Sequence, residues 1–404
     1  MSARAHGNGK AGLDVFLVAG ESSGDVLGAG LMAGLARAPG GAVSFRGVGG
    51  PAMTQAGLTP LFPVQDLMTI GIAPVIAKLP TILRRLRETV AAIVAAPPDV
   101  LILIDVPDFS LRVARMVRRR LPDLPIVKYV SPTVWVWRPG RARAMRPSID
   151  LILALLPFEP EVHRKLGGPP CVYVGHPLLA QVSSLRPSPE EKRVRDTART
   201  VLALPGSRRQ EIRRLGAMFG EALDMMAGGH EHFEVVLPTL PYLMEEIASA
   251  TARWSVRPRI VTDEAEKHAA FRQARAAIAA SGTVTLELAL AGIPHVGAYR
   301  ISLLEGMIAR MFIRDDSVLL ANLVLGEKVV PQFIQTQCTA ANLARALSEI
   351  FADTPARRRQ EQAFARLDAI LGAHERTPSE RAANAVLDLL ERRHLGGRAV
   401  REAN

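Results

Sequence analysis

Short, almost unbroken apolar runs recur along this chain, each followed by a stretch in which apolar residues return every three or four positions. That alternation restricts the possible fold more than any other feature. Val100-Leu-Ile-Leu-Ile104 is the clearest of the runs. A strand apolar at every position is covered on both faces, the situation of a parallel strand between layers of helix. Strands are predicted at Asp14–Ala19, Val43–Val48, Asp99–Asp105, Pro125–Val130, Asp150–Leu156 and Cys171–Val174. A second set is predicted at Arg199–Leu204, Phe233–Leu237, Arg259–Val261, Ala276–Ala280 and His295–Ala298. The predicted class is α/β, with two doubly wound, Rossmann-like parallel-sheet domains. Facing each other, two such domains would place the carboxyl ends of both sheets on one shared cleft.

The predicted division gives a disordered N-terminus at 1–12, a first domain at 13–182, a linker at 183–198 and a second domain at 199–339. The linker is polar, charge-rich and carries two prolines. Residues 340–404 read as helical. There Thr377-Pro-Ser-Glu380 forms a capping box with proline at the first helical position. Ala382, Ala385, Val386, Leu389 and Leu390 follow as an apolar stripe that needs a partner surface, either the first domain or another subunit.

With 404 residues, 48% of them hydrophobic, the chain is long enough for two separate cores. Cys171 and Cys338 are its only cysteines, too few and too far apart for a disulfide framework or a zinc site, so a reducing, cytoplasmic compartment is expected. Neither a signal peptide nor the roughly 20 consecutive apolar residues of a spanning helix can be read. Fifty Lys and Arg against 39 Asp and Glu leave a net charge of +11, which favours an acidic partner. Nucleic acid is not expected: the arginine clusters at 84–87, 118–120 and 357–359 lack interleaved aromatics, and no nucleic-acid-binding module is recognisable. Anionic lipid and phosphorylated metabolites remain.

Two turns in the second domain point to phosphate. Leu202-Ala-Leu-Pro-Gly-Ser-Arg-Arg-Gln-Glu-Ile212 joins a buried strand to a helix start through Gly206, Ser207 and Arg208. Amides at a helix N-terminus and an always-charged guanidinium suit a diphosphate. Ala280-Ser-Gly-Thr-Val-Thr-Leu-Glu287 repeats the arrangement, with Ser281, Gly282 and Thr283 as donors and Glu287 placed to accept ribose hydroxyls. Either turn alone is equally an ordinary strand-to-helix connection; the pair suggests a nucleotide. No D-x-D follows a strand and no His/Cys grouping occurs, so neither a metal ion nor another cofactor is expected. Arg208 and helix dipoles would then neutralise a departing diphosphate.

In the first domain, Gly20 is followed by Glu21, Ser22, Ser23, Gly24 and Asp25, again between a strand and a helix. The spacing is not that of the dinucleotide fingerprint, and a helix-capping cluster is the alternative. Asp105 ends the third strand, where a carboxylate is placed for general-base duty, or for a structural hydrogen bond. Asp108, three residues on, reads as the cap of the following helix. Trp135 and Trp137 stand beside arginines in the loop Tyr129–Arg141, suited to stacking on a sugar, lining an acyl slot or packing in the core. His176 reads as structural.

Taken in order, GESSGD at Gly20, GGPAMTQAG at Gly49, IDVPDF at Ile104, YVSPTVWVWR at Tyr129, LPFEP at Leu156, VGHPL at Val174, LPGSRRQEI at Leu204, SGTVTLE at Ser281 and ANLVLG at Ala321 closely resemble the lipid-A-disaccharide synthases. These are inverting glycosyltransferases of the GT-B fold, in glycosyltransferase family 19. The resemblance implies transfer of the sugar of UDP-2,3-diacylglucosamine to 2,3-diacylglucosamine 1-phosphate, giving a β-1,6-linked disaccharide 1-phosphate and UDP for lipid A. It implies an acceptor-binding first domain and a UDP-sugar-binding second one. By the same resemblance Asp105 is the base for the acceptor hydroxyl, Arg208 holds the donor diphosphate, and Ser281, Gly282, Thr283, Glu287 and Asn322 form the UDP pocket. The family exchanges its C-terminal segment between two subunits, which implies a homodimer here. Pro74, His163 and Gln332 depart from the family pattern, where glutamate, tyrosine and glutamate are usual.

Both implied substrates carry acyl chains. The segment from Leu67 through Met68, Ile70, Ile72, Val75 and Ile76, followed by Arg84, Arg85 and Arg87, is apolar beside basic, as interfacial segments are. Peripheral association with the cytoplasmic face of the inner membrane is expected, with core packing as the alternative. Two rival functions are a UDP-sugar 2-epimerase of the same fold, which has no use for this segment, and a non-enzymatic binder of anionic lipid, which leaves both nucleotide turns unexplained.

Overall fold

The computed structural model describes residues 12–38, 41–67, 79–136, 138–229, 232–300, 319–372 and 376–402. The chain divides into two compact units, Met1–Pro177 together with His374–Asn404, and Leu178–Ala373.

The first unit is built on strands β1 (Gly12–Ala19), β2 (Ala42–Val48), β3 (Thr59–Pro60), β4 (Val100–Ile104), β5 (Ile126–Tyr129), β6 (Leu151–Ala154) and β7 (Cys171–Tyr173). They run parallel in the order β3-β2-β1-β4-β5-β6-β7. Successive side chains of a strand point to opposite faces, and β1 feeds two cores accordingly. Val15 and Leu17 pack with Leu31 and Leu35 of the helix Ser22–Arg37, whereas Phe16 and Val18 pack with Val90 and Ile93 of the helix Leu79–Ala95. All five residues of β4 are buried, as a strand covered on both faces must be.

The helix Pro378–Glu402 closes the first of these cores with Ala382, Val386 and Leu390. Its start is the predicted capping box: the Thr377 amide donates to Glu380 Oε2 at 2.9 Å and the Glu380 amide to Thr377 Oγ1 at 3.3 Å. Close approach to the helix Ser22–Arg37 depends on two glycines. A Cβ on Gly30 would lie 2.5 Å from Ser379 Oγ, and one on Gly34 would lie 2.8 Å from the Ser379 carbonyl oxygen.

The second unit holds β8 (Thr200–Leu204), β9 (Glu234–Pro238), β10 (Arg259–Val261), β11 (Ala276–Ala280), β12 (His295–Tyr299) and β13 (Gln332–Ile334), parallel in the order β10-β9-β8-β11-β12-β13. This is the 3-2-1-4-5-6 order of the dinucleotide-binding fold. Helices Arg209–Ala227 and Ala340–Phe351 cover one face of the sheet. Both units are therefore doubly wound α/β sheets, the building blocks of a GT-B fold.

The structure departs from the sequence expectation in places. The edge strands β3 and β13, of two and three residues, are too short to show a periodicity. Gly12 already belongs to β1. Residues 183–198 are not an open linker: they lie largely in the helices Val182–Leu185 and Pro189–Thr197, within the second unit. Pro189 occupies the first turn of its helix, capped by Ser188, and the buried Arg195 donates to the carbonyls of Ala274 at 2.6 Å and Ala291 at 3.0 Å. Proline there starts a helix rather than interrupting one. The helices between Ala340 and Leu371 also belong to the second unit, leaving only the last helix to the first. Among the described residues no helix is long and apolar enough to cross a membrane.

Candidate active site

Open parallel sheets bind ligands where the strand order reverses, at the carboxyl ends of the two central strands. In the first unit these are β1 and β4. The turns that follow them touch: a Cβ on Gly20 would lie 2.9 Å from Val106 Cγ2, and one on Gly24 would lie 3.8 Å from Asp105 Cβ. Glu21 occupies the cap position of the helix Ser22–Arg37 without its side chain accepting a helix amide, and Ser22 and Ser23 are exposed. The positive end of this helix is thus presented beside Asp105.

Asp105 is half-buried and left-handed, with φ at +49°, and Val106 follows at +40°. Two such residues in succession, one of them β-branched, cost about 1–3 kcal/mol each and persist only where their surroundings hold them. Three contacts do so. The Asp105 amide donates to the Tyr129 carbonyl at 3.0 Å, while the Asp105 carbonyl accepts from Ser110 Oγ at 2.9 Å and from Lys128 Nζ at 2.7 Å. Lys128 is fully buried on β5, and burial pushes its ammonium down to about 7, opposed by the charge of Asp105.

Other residues expected in this region have different duties. Asp25 is buried: its Oδ1 accepts the amides of Gly50 at 2.8 Å and Met53 at 3.0 Å, and its Oδ2 that of Ala52 at 2.9 Å. It organises the helix Pro51–Gln55 and has little left to offer a ligand. Asp108 is not the cap of the helix Pro107–Arg118, since Val106 holds that position. It stands exposed in the first turn, where a negative charge suits the dipole, and accepts from Arg141 at 3.0 Å. Trp135 is half-buried, edge-on to Phe158 with centroids 5.2 Å apart. Trp137 lies outside the described residues. His176 is buried, and burial pushes it down to about 4, so its imidazole is neutral at physiological pH. His163, one of the departures, is buried with Nε2 2.8 Å from Ser131 Oγ.

In the second unit the order reverses between β8 and β11, which pair directly. After β8, Gly206 has φ at +128°, and a Cβ there would lie 2.5 Å from Glu211 Cβ. Ser207 and Arg208 are exposed, Arg208 at the cap position of the helix Arg209–Ala227. A carboxylate already sits at this helix start: Glu211 accepts the Ser207 amide at 3.1 Å and lies 3.4 Å from Arg208 Nη1. Arg209 points elsewhere, to the buried Glu246 at 2.8 Å.

After β11, the Ser281 amide donates to the Ala298 carbonyl at 2.8 Å, and among the described residues beyond its chain neighbours Gly282 has no atom within 4 Å of where a Cβ would stand. Thr283 is exposed at the first position of the helix Thr283–Leu290. Glu287 is buried, with Lys267 Nζ 2.8 Å from its carboxylate. Asn322 is also buried: its Oδ1 accepts the amides of Val329 at 3.0 Å and Val330 at 2.9 Å, and its Nδ2 donates to the Val330 carbonyl at 2.9 Å. Its polar atoms hold the loop after the helix Leu320–Leu325, so it shapes the backbone there.

The apolar-basic segment is only partly described. Leu67 is buried in the first unit's core rather than exposed. Arg85 is bound to Asp66 and Glu88, both at 2.6 Å, and stacks on Phe62, so its charge is spent within the fold. Arg84 is exposed. Met68, Ile70, Ile72, Pro74, Val75 and Ile76 lie outside the described residues.

Lys128, Glu211 and Lys267 escaped the sequence reading. A lone lysine inside the apolar run Ile126-Val-Lys-Tyr129 was the available signal for the first, because a charge in a strand buried on both faces needs a partner. Glu211 and Lys267 look like surface charges on amphipathic helices until the turns they face are seen.

A family model described as Lipid-A-disaccharide synthetase matches residues 15–387. The chain belongs to the lipid-A-disaccharide synthase family. Lipid-A-disaccharide synthase of Nitrobacter hamburgensis is 56% identical over 377 residues, covering 93% of this chain and 95% of the relative. That of Rhodospirillum centenum is 42% identical over 387 residues, covering 95% and 96%. Among solved structures, UDP-GlcNAc 2-epimerase from Neisseria meningitidis bound to UDP-GlcNAc aligns with a TM-score of 0.59 at 10% identity, over 94% of this chain and 99% of that one. The calicheamicin glycosyltransferase CalG4 aligns at 0.56 and 16%, over 94% and 98%. At such identities these two structures speak for the fold alone. The synthase family match spans both switch points, from β1 to the last helix.

Proposed function

We propose that this chain joins UDP-2,3-diacylglucosamine to 2,3-diacylglucosamine 1-phosphate with inversion, forming the β-1,6-linked disaccharide 1-phosphate of lipid A and releasing UDP. The observation that carries the reading, beside family membership, is Asp105 standing at the end of β4, next to the turn that opens the helix Ser22–Arg37. In this reading the Asp105 carboxylate takes the proton of the acceptor 6-hydroxyl as its oxygen attacks the donor's anomeric carbon. The bond from that carbon to the diphosphate breaks, and its electron pair leaves on UDP.

Charge growing on the leaving group meets Arg208 and the amides of the Ser207 and Gly282 turns, fixed donors of the kind that stabilise a transition state most. The diphosphate would take over the Ser207 amide and Arg208 from Glu211. Glu287, held by Lys267, would accept the ribose hydroxyls. Further parts of the reading are peripheral binding at the cytoplasmic face of the inner membrane, with Arg84 and Arg87 on the anionic surface, and a homodimer.

Incubating the protein with UDP-2,3-diacylglucosamine, with and without the acylated acceptor, tests the reaction. Disaccharide and UDP in equal amounts, only when both substrates are present, is the expected result. UDP release without disaccharide would overturn it.

A further inference from the structure

Lys128 is the charged side chain most completely removed from water at the first switch point, and its contacts are unusual. Its Nζ is 2.7 Å from the Asp105 carbonyl, 3.2 Å from that of Tyr129 and 3.4 Å from that of Leu103. Three N–H groups thus meet three carbonyl oxygens at the ends of β4 and β5, which pair Leu103 with Lys128 and Ile104 with Tyr129. An ammonium supplies three donors and no acceptor, so this nest suits the protonated form. Burying an ammonium is costly, and burial lowers it to about 7 here. For packing alone, an apolar side chain of the same length would serve the strand better.

We propose that Lys128 is a positioning residue for glycosyl transfer: it clamps the carbonyl of the left-handed Asp105, and so fixes where the Asp105 carboxylate points. Asp105 and Val106 both sit at positive φ, and the peptide unit between them carries the carbonyl that Lys128 and Ser110 hold. Released from that clamp, the turn relaxes toward ordinary dihedrals and carries the carboxylate with it. A displacement of about 1 Å at a catalytic group can cost on the order of 100-fold in rate. This inference rests on the reading of Asp105 as the base.

The test compares Lys128→Met, which fills the space without a donor, with Lys128→Gln, which restores two N–H groups. Both are assayed with the full-length protein and the two acylated substrates. Lys128→Met is expected to lower kcat by roughly 10- to 100-fold, with both KM values and the affinity for UDP within about threefold of the unaltered protein. Lys128→Gln is expected to regain part of the lost kcat. A kcat for Lys128→Met within about twofold of the unaltered protein overturns the inference, as does a loss that Gln does not relieve at all. Should Lys128→Met fail to fold, Ser110→Ala removes the other side-chain bond to the same carbonyl; a several-fold fall in kcat supports the clamp and an unchanged kcat refutes it. Asp105→Ala separates the two levels. If it keeps transfer, the reading of the base fails; if it loses transfer while Lys128→Met keeps it, only the inference about Lys128 fails.

Discussion

The two switch points share a topology and differ in how their turns are filled. Beside β1 and β4 the polar groups are bound within the protein: Asp25 holds three amides, Lys128 three carbonyls, and two left-handed residues are fixed between them. Beside β8 and β11 the turns are more open: among the described residues beyond its chain neighbours nothing lies within 4 Å of a Cβ placed on Gly282, and Arg208 is exposed, with Glu211 3.4 Å from its Nη1. The first arrangement fixes the backbone that carries the Asp105 carboxylate, which suits the proposed role of a base acting on one hydroxyl. The second leaves donors available for a charged group that arrives and departs.

Removing the fixed carboxylate should have the largest effect. Asp105→Asn is expected to lower kcat by on the order of 100- to 10,000-fold with little change in melting temperature, measured by disaccharide formation and thermal unfolding. Full activity would break the contrast at its centre. Next comes the open side, where Arg208→Ala is expected to cost about 100- to 1,000-fold in kcat and to weaken UDP binding. An Arg208→Ala protein that transfers normally would reduce the second turn to an ordinary loop.

Glycine substitutions sharpen the contrast through stability. A Cβ on Gly50 would lie 2.5 Å from Asp25 Oδ2, so Gly50→Ala should destabilise the protein by about 1–3 kcal/mol in chemical unfolding. Gly282→Ala meets no atom of the described residues beyond its chain neighbours and should leave stability within about 0.5 kcal/mol while weakening UDP binding by closing the approach of phosphate to the turn. Equal losses of stability would mean that both turns are packed alike.

The smallest expected effect concerns pH. Glu159, buried in the first unit, accepts the Leu156 amide at 2.8 Å, and burial pushes its carboxyl up to about 8, partly offset by the amides of Leu156 and Leu155. The folded protein then binds a proton that the unfolded chain has released. Its contribution to stability is full below the ordinary carboxylate range and is lost as pH rises through about 8. The melting temperature of Glu159→Gln should therefore gain on that of the unaltered protein between pH 5 and pH 8; parallel curves would remove Glu159 from this account.

The sheets were readable because their strands are apolar on both faces. Every predicted strand recurs within a few residues, whereas β3 and β13 lack the length to signal themselves. Gly20, Asp105, Gly206 and Gly282 lie just past strand ends, and a glycine or carboxylate at such a place is visible in one dimension. The partners that decide how each side chain is used come from distant parts of the chain and are not. Asp25 looked like a ligand contact until the amides of Gly50, Ala52 and Met53 closed on it, and Asn322 until Val329 and Val330 did. Residues 183–198 looked like a linker because prolines and charges mark helix starts as well as breaks. Leu67 and Arg85 carry the right chemistry for a membrane surface, yet core packing and the acids Asp66 and Glu88 claim them.

A calorimetric titration of UDP into Asp105→Ala and Arg208→Ala tests the division between the fixed and the open switch point most directly. The account predicts that Asp105→Ala binds UDP as tightly as the unaltered protein, and that Arg208→Ala binds it at least about tenfold more weakly, equivalent to about 1.4 kcal/mol. Loss of UDP binding in Asp105→Ala, with retention in Arg208→Ala, would contradict it.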